Sequence, residues 1–419
     1  MLSPFVDALP MVARPDARHA PSDSRGSMRL TPRAAVVVVV TIAAWPVRLA
    51  AQPGTKEPAR PKIDAAADTN DWQAYYEYGN SAITGHPDIA ANAFYWATRL
   101  SPERAELYYG QWAATWMTKP GLLRRYFKGG ELVGNSIEAR RIDTLAWEAT
   151  IRNPLVHRGF HRLLFQMMYD LQDGKGNWRW KDDPENEAWL DYTEGRFANA
   201  AAGWGSVLAK NPKRFFLHEQ RAYAFASMQR FDSAIVSLTR LLAELDKREL
   251  KTLSHSYESK AIYLYAIGIM NYRTGNYDAA REAFGRALEE DLSMYMVHSA
   301  LGSVAIAQGD TATALTEYDL AVQLNDGDPV LLKNYGLLLL LSNRVEEAAT
   351  VLARSVAADT WYAQPRYFHA VALDRLGRKD EARAEYGEFM GRAPRTAGDR
   401  TRLAAQRIAE LRGAPAERK

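Results

Sequence analysis

The sequence predicts an all-α superhelix built from antiparallel helix pairs. Three observations point there. Segments starting at Gly195, Gln229, Gly275, Gly309, Asn343 and Gly377 recur every 34 residues, apart from one 46-residue step between the second and the third. Five residues after each start stands a small residue (Ala200, Ala234, Ala280, Ala314, Ala348, Ala382), and four further on a bulky one (Trp204, Leu238, Phe284, Tyr318, Leu352, Tyr386), the spacing of one helix face. Seven residues before each start another small residue recurs (Ala188, Ala222, Gly268, Gly302, Gly336, Ala370), so each unit holds two helices that approach closely.

Composition agrees with such an array. The chain has 419 residues, 47% hydrophobic and 25% charged, enough to bury a core and far from the make-up of a disordered chain. With 53 Lys plus Arg against 50 Asp plus Glu, the formal charge of +3 gives no reason to expect nucleic acid or an acidic substrate. The lack of any cysteine excludes disulfides, thiolate metal sites and cysteine nucleophiles.

Taken in order, the chain begins with an aperiodic stretch over 1–27. From Met28 come Arg29, Arg33, an apolar run over 34–44 and Leu49-Ala50-Ala51, the layout of a secretory signal peptide. The run is well short of the roughly 20 residues that cross a bilayer, so cleavage near Ala51 and export to a periplasm or the exterior are expected. An uncleaved run would instead be a membrane tether. No cysteine follows it, so a cysteine-linked lipid anchor is not expected. Loss of 1–51 leaves 47 basic and 47 acidic groups. Residues 52–70 hold Pro53, Pro58 and Pro61 and few bulky apolar groups, which predicts a flexible linker.

Residues 71–102 read as a degenerate helix pair, one residue short between its helices, with Gly79, Ala91 and Pro102 near the repeated places. Residues 103–180 read as an irregular helical segment, with helical apolar spacing over 105–117, 137–151 and 154–173 and a loop over 173–186. Six regular units fill 181–394, with an insertion near 246–256. Over 395–419 a capping helix is expected, with Leu403, Ile408 and Leu411 covering the last apolar face and its arginines in water.

These units resemble the tetratricopeptide repeat family, whose unit is a 34-residue pair of antiparallel helices. Gly or Asn at a unit's start suits the left-handed turn between the two helices. The resemblance implies a curved solenoid whose first helices line a concave groove where partners bind. Carrying over the family's groove-facing positions selects Trp189, Tyr192, Glu219, Tyr223, Tyr265, Tyr272, Arg273, Ser299, Ser303, Lys333, Tyr367 and Arg375. Aromatic and Arg side chains make good binding anchors, although several of these tyrosines could simply pack one helix on the next. The Lys/Asn pairs with which some members clamp a terminal carboxylate do not occur at matching positions. An extended or helical segment with apolar anchors is therefore the expected partner.

Chemistry is sparsely signalled. His157 and His161 would share a helix face, but a zinc-protease Glu and a third ligand are missing, so no metal site is expected. The glycine-containing stretches near 127 and 173 match neither a phosphate-cradling loop nor a calcium loop, and no Gly-x-Ser-x-Gly elbow is present. The rings over 72–116 (Trp72, Tyr75, Phe94, Trp96, Tyr109, Trp112 and Trp116 among them) suit a core, or a pocket for an apolar or carbohydrate ligand. The expected function is a non-catalytic, exported scaffold that needs no cofactor and binds a protein or peptide in its groove. The alternative is a small-ligand or enzymatic module over 103–184, framed by the repeats.

Overall fold

A computed structural model describes residues 57–122, 137–155, 184–251 and 260–413. Among them the chain runs through α1 (Trp72–Ala82), α2 (Pro87–Leu100), α3 (Ala105–Met117), α4 (Ile137–Arg152), α5 (Pro184–Thr193), α6 (Phe197–Lys210), α7 (Leu217–Ser227), α8 (Phe231–Lys251), α9 (Ala261–Arg273), α10 (Tyr277–Glu290), α11 (Tyr295–Ala307), α12 (Thr311–Leu324), α13 (Pro329–Leu341), α14 (Val345–Ala358), α15 (Ala363–Arg375), α16 (Lys379–Arg392) and α17 (Gly398–Gly413). No strand occurs among the described residues. The signal-like segment and the His157/His161 pair lie outside them.

From α5 to α16 the helices alternate as a first (A) and second (B) member of each pair, every A helix packing on its own B helix and every B helix on the next A. The turn from A to B is left-handed at all six unit starts: φ is 79° at Gly195, 57° at Gln229, 78° at Gly275 and Gly309, 61° at Asn343 and 75° at Gly377. Asn tolerates that region by local hydrogen bonding, whereas Gln229 holds it against its Cβ. The small residues do what their spacing predicts. A Cβ added to Gly268 would lie 2.3 Å from the Phe284 ring, one on Gly302 2.7 Å from Tyr318, and one on Gly336 2.5 Å from Leu352.

The same device extends upstream. Phe94 is fully buried between Gly79 of α1 and Gly110 of α3, at 2.9 and 2.6 Å from their would-be Cβ atoms. From Gly79 to Phe94 is one residue less than from Gly268 to Phe284, as the shortened turn requires. Helix α4 packs on α3, so the described part of 103–184 continues the stack of pairs. The insertion near 246–256 in part lengthens a B helix: α8 has 21 residues where its neighbours α6 and α10 have 14. At the other end α17 covers α16 through Ala404, Ile408 and Leu411. Leu403 departs from expectation, being 49% exposed, because the buried line advances by four and three residues from Ala404.

Of the stretch 52–70 read as a linker, residues 57–70 are described. They lie against the fold, with Asn70 Nδ2 donating to the Gly391 carbonyl at 3.0 Å and Asp68 Oδ2 accepting from the Arg395 backbone N–H at 2.6 Å. Their few apolar groups suffice because these contacts are polar, cationic or aromatic rather than a core of their own.

Gly268→Ala is expected to destabilise the protein by about 1–3 kcal/mol through overpacking against the Phe284 ring, despite Ala's better helix propensity. Urea unfolding followed by circular dichroism measures it.

Candidate partner-binding surface

The A helices carry the residues selected by the repeat register, and their packing divides those residues into three groups. At the start of the array Trp189 is half-buried with its ring 4.9 Å from that of buried Trp204, and Tyr192 is buried 5.2 Å from Phe197. Glu219 and Tyr223 are buried on α7. These side chains join α5 to α6 and α7. Tyr272 and Tyr367 also serve packing, Tyr272 5.9 Å from Tyr277 and Tyr367 5.2 Å from Phe389. Burial, with neighbouring phenols adding to it, raises the Tyr272 hydroxyl to about 12. Ser303 Oγ donates to the Ser299 carbonyl at 2.9 Å and lies 3.1 Å from the Tyr318 hydroxyl.

The second group faces the chain's own amino-terminal helices, which lie over the first turns of α9, α11, α13 and α15. Tyr265 donates to the Ile151 carbonyl at 3.2 Å, and burial pushes its hydroxyl pKa up. Arg152, at the end of α4, donates to the Pro102 carbonyl and the Glu148 carboxylate, stands over the Tyr108 ring at 4.3 Å and reaches Asp328 Oδ2 at 3.3 Å. Asp328 caps α13 with its other oxygen, accepting from the Val330 and Leu331 N–H groups at 2.8 and 3.0 Å, while Tyr295 donates to Oδ2 at 3.0 Å. Beyond it, Gln364 Nε2 donates to Glu103 at 3.3 Å, and Arg99 pairs with Asp359 at 3.3 Å. Burial raises the Asp359 carboxyl to about 6 against the pull of Arg99.

The third group is open to solvent. Ser227, Arg273, Ala307, Leu341 and Arg375 occupy the same place in the last turn of successive A helices, and all five are exposed. Arg375 also donates to the Leu340 carbonyl at 3.0 Å and to Asn343 Oδ1 at 2.6 Å, closing the end of α13. Leu341 escapes notice in the sequence because it ends a run of five leucines. It is 39% exposed where the four before it are buried.

A profile of the tetratricopeptide repeat matches residues 260–329, and a second matches 363–388. The chain carries tetratricopeptide repeats. An uncharacterized protein of Haemophilus influenzae is 28% identical over 122 residues, 29% of this chain and 67% of that one. The type IV pilus assembly protein PilF of Pseudomonas aeruginosa is 32% identical over 155 residues, 36% of this chain and 61% of its own length. Among solved structures, the C-terminal part of a tetratricopeptide protein from Cytophaga hutchinsonii covers 55% of this chain and 88% of its own, at 13% identity and a TM-score of 0.46. YrrB, described as a tetratricopeptide protein with an unusual peptide-binding site, covers 46% and 94%, at 20% identity and a TM-score of 0.36.

The tetratricopeptide array is a protein-interaction scaffold, and within it Lys333 of α13 is set apart. It is only 1% exposed, with Gln364 Oε1 at 3.5 Å and the Tyr362 ring at 5.8 Å. Burial lowers its pKa to about 8, which Glu103 resists and Arg400 reinforces. A depressed lysine pKa means that the unfolded chain holds the proton more tightly between pH 8 and 10.5, so this group adds stability as pH rises through that window. At pH 7 the buried charge is a cost. Lys333→Met is expected to stabilise the protein by about 2–3 kcal/mol at pH 7, with the advantage shrinking toward pH 10. Parallel urea titrations of both proteins at the two pH values check the sign and the trend.

Proposed function

We propose that the protein is an exported, non-catalytic scaffold that holds a segment of a protein partner along the A-helix row Ser227, Arg273, Ala307, Leu341 and Arg375. The observation that carries this reading is the row itself: one exposed side chain per repeat, at one helical turn, on the face that this repeat family is expected to present to partners. Two guanidinium groups bracket an exposed leucine. That pattern suits an extended or helical segment with an apolar centre and acidic flanks, since Arg offers a planar fork to carboxylates and the leucine an apolar seat. Tyr265 and Lys333, turned toward the amino-terminal helices, have a structural part in this reading.

An envelope location is supported by the basic, apolar and small-residue order of 28–51 and by the likeness to a pilus assembly protein. Cleavage near Ala51 would leave all the described residues in the mature chain.

Cross-linked capture of the tagged protein from its native envelope, with mass spectrometry of the captured proteins and of the bait's amino terminus, tests both parts. Arg273→Glu combined with Leu341→Asp is expected to lower the yield of a stoichiometric partner about tenfold or more with helicity unchanged. Undiminished capture would remove the row from the binding surface. A bait that begins near Gln52 supports export, whereas an intact amino terminus makes the apolar run a tether.

A further inference from the structure

Residues 57–63, Glu-Pro-Ala-Arg-Pro-Lys-Ile, cross the seam between α2 and the loop that leads into α15 without forming a helix. They are held like a bound peptide. Glu57 lies 3.3 Å from Arg99 Nη2 and accepts from the Trp361 indole N–H at 3.4 Å. The Pro58 carbonyl accepts from the Trp96 indole N–H at 3.1 Å. Ile63 rests on the cluster formed by Tyr75, Trp96, Ala97 and Leu107.

The centre of the seam is an aromatic cage. The Arg60 guanidinium stands 5.3 Å from the Tyr75 ring, 4.8 Å from Trp96 and 4.9 Å from Trp361. Trp96 and Trp361 meet edge to face at 5.1 Å. The three rings come from α1, α2 and the loop before α15, so the cage exists only where the two ends of the molecule meet. Arg60 Nε and Nη2 are shielded from solvent and have no hydrogen-bond partner among the described residues. For those two nitrogens the attraction is to ring faces, which take a cation without demanding a particular hydrogen-bond geometry.

The occupant is chemically generic. Pro58 and Pro61 make a Pro-x-x-P segment with restricted φ, which loses little entropy on docking, and such segments bind aromatic-lined grooves. No helix is broken when 57–63 leaves, because the first turn that fastens the chain is the bond from Ala67 N–H to the Asp64 carbonyl, just beyond it. We propose that this seam is an exchangeable docking site for extended, proline-containing segments that carry an arginine, filled in cis by residues 57–63 and open in trans to a partner segment of the same chemistry. The site is separate from the A-helix row, and neither assignment depends on the other.

The probe is a fluorescein-labelled peptide of residues 55–65, Thr-Lys-Glu-Pro-Ala-Arg-Pro-Lys-Ile-Asp-Ala, read by anisotropy against the full chain. A Glu57→Ala/Arg60→Ala chain, whose own segment is loosened, is expected to bind it saturably and about tenfold more tightly than the wild type, where the cis segment competes. Adding Trp361→Ala to that chain, or replacing the peptide's arginine by alanine, is expected to weaken binding about tenfold. Equal affinity for both chains, or indifference to the peptide's arginine, overturns the proposal. Should the loosened chain lose helicity, a nitroxide on Lys62→Cys in the otherwise wild-type, cysteine-free chain decides: excess unlabelled peptide must free the label's motion while helicity stays unchanged. Unchanged label mobility overturns it as well.

Discussion

One contact, repeated, sets the geometry on which everything else rests: a residue with little or no side chain on each A helix lets a large side chain of its B helix lie against the backbone. Phe284, Tyr318 and Leu352 are almost fully buried because Gly268, Gly302 and Gly336 leave room for them. A Cβ at any of these places would force the two helices apart. Because the pairs share one spacing, successive A helices stand in register and bring equivalent turns to the same level. The exposed row that ends the A helices and the covered row that begins them both follow from that register.

The covered row shows how a polar interface is made between distant parts of the chain. Asp328 serves twice, capping α13 with one oxygen and receiving Tyr295 and Arg152 with the other. A carboxylate at a helix amino terminus is already favoured by the exposed N–H groups there, so it can meet a buried guanidinium without both charges having to be compensated by the pair alone. Arg152 in turn satisfies the Pro102 carbonyl at the end of the first helix pair. Lys333 has a poorer arrangement, with a long contact to Gln364 and a depressed pKa.

Much of this was legible in the sequence, for physical reasons that differ from part to part. The period, the left-handed turns and the small-against-large pairing are local, so they leave a spacing in the chain; even the shortened first pair announced itself through Gly79. The docking of 57–70 left none, since its partners Trp361, Gly391 and Arg395 are about 300 residues away and proline-rich composition alone reads as a linker. The one available sign was Trp361 itself, a large ring in a turn between repeats where the preceding turns have Ser293 and Gly327. The candidate site was half legible. Register identified which positions face inward, but not that the amino-terminal helices cover Tyr265 and Lys333 and leave the last turn, with Leu341, uncovered.

The clasp between Asp68, Asn70 and the 391–395 loop has a mechanical consequence. A linear stack of repeats is held only by nearest neighbours, so its terminal units fray first and its stability is close to a sum along a line. Here residues 66–70 grip the junction before α17, so the described line is bent back on itself and its last pair is held by more than its neighbours. Loosening α16 must break contacts with residues 66–70 as well as with α15, so the pairs should melt more cooperatively than an open stack and resist stretching as a clasped loop does, rather than extend like a spring.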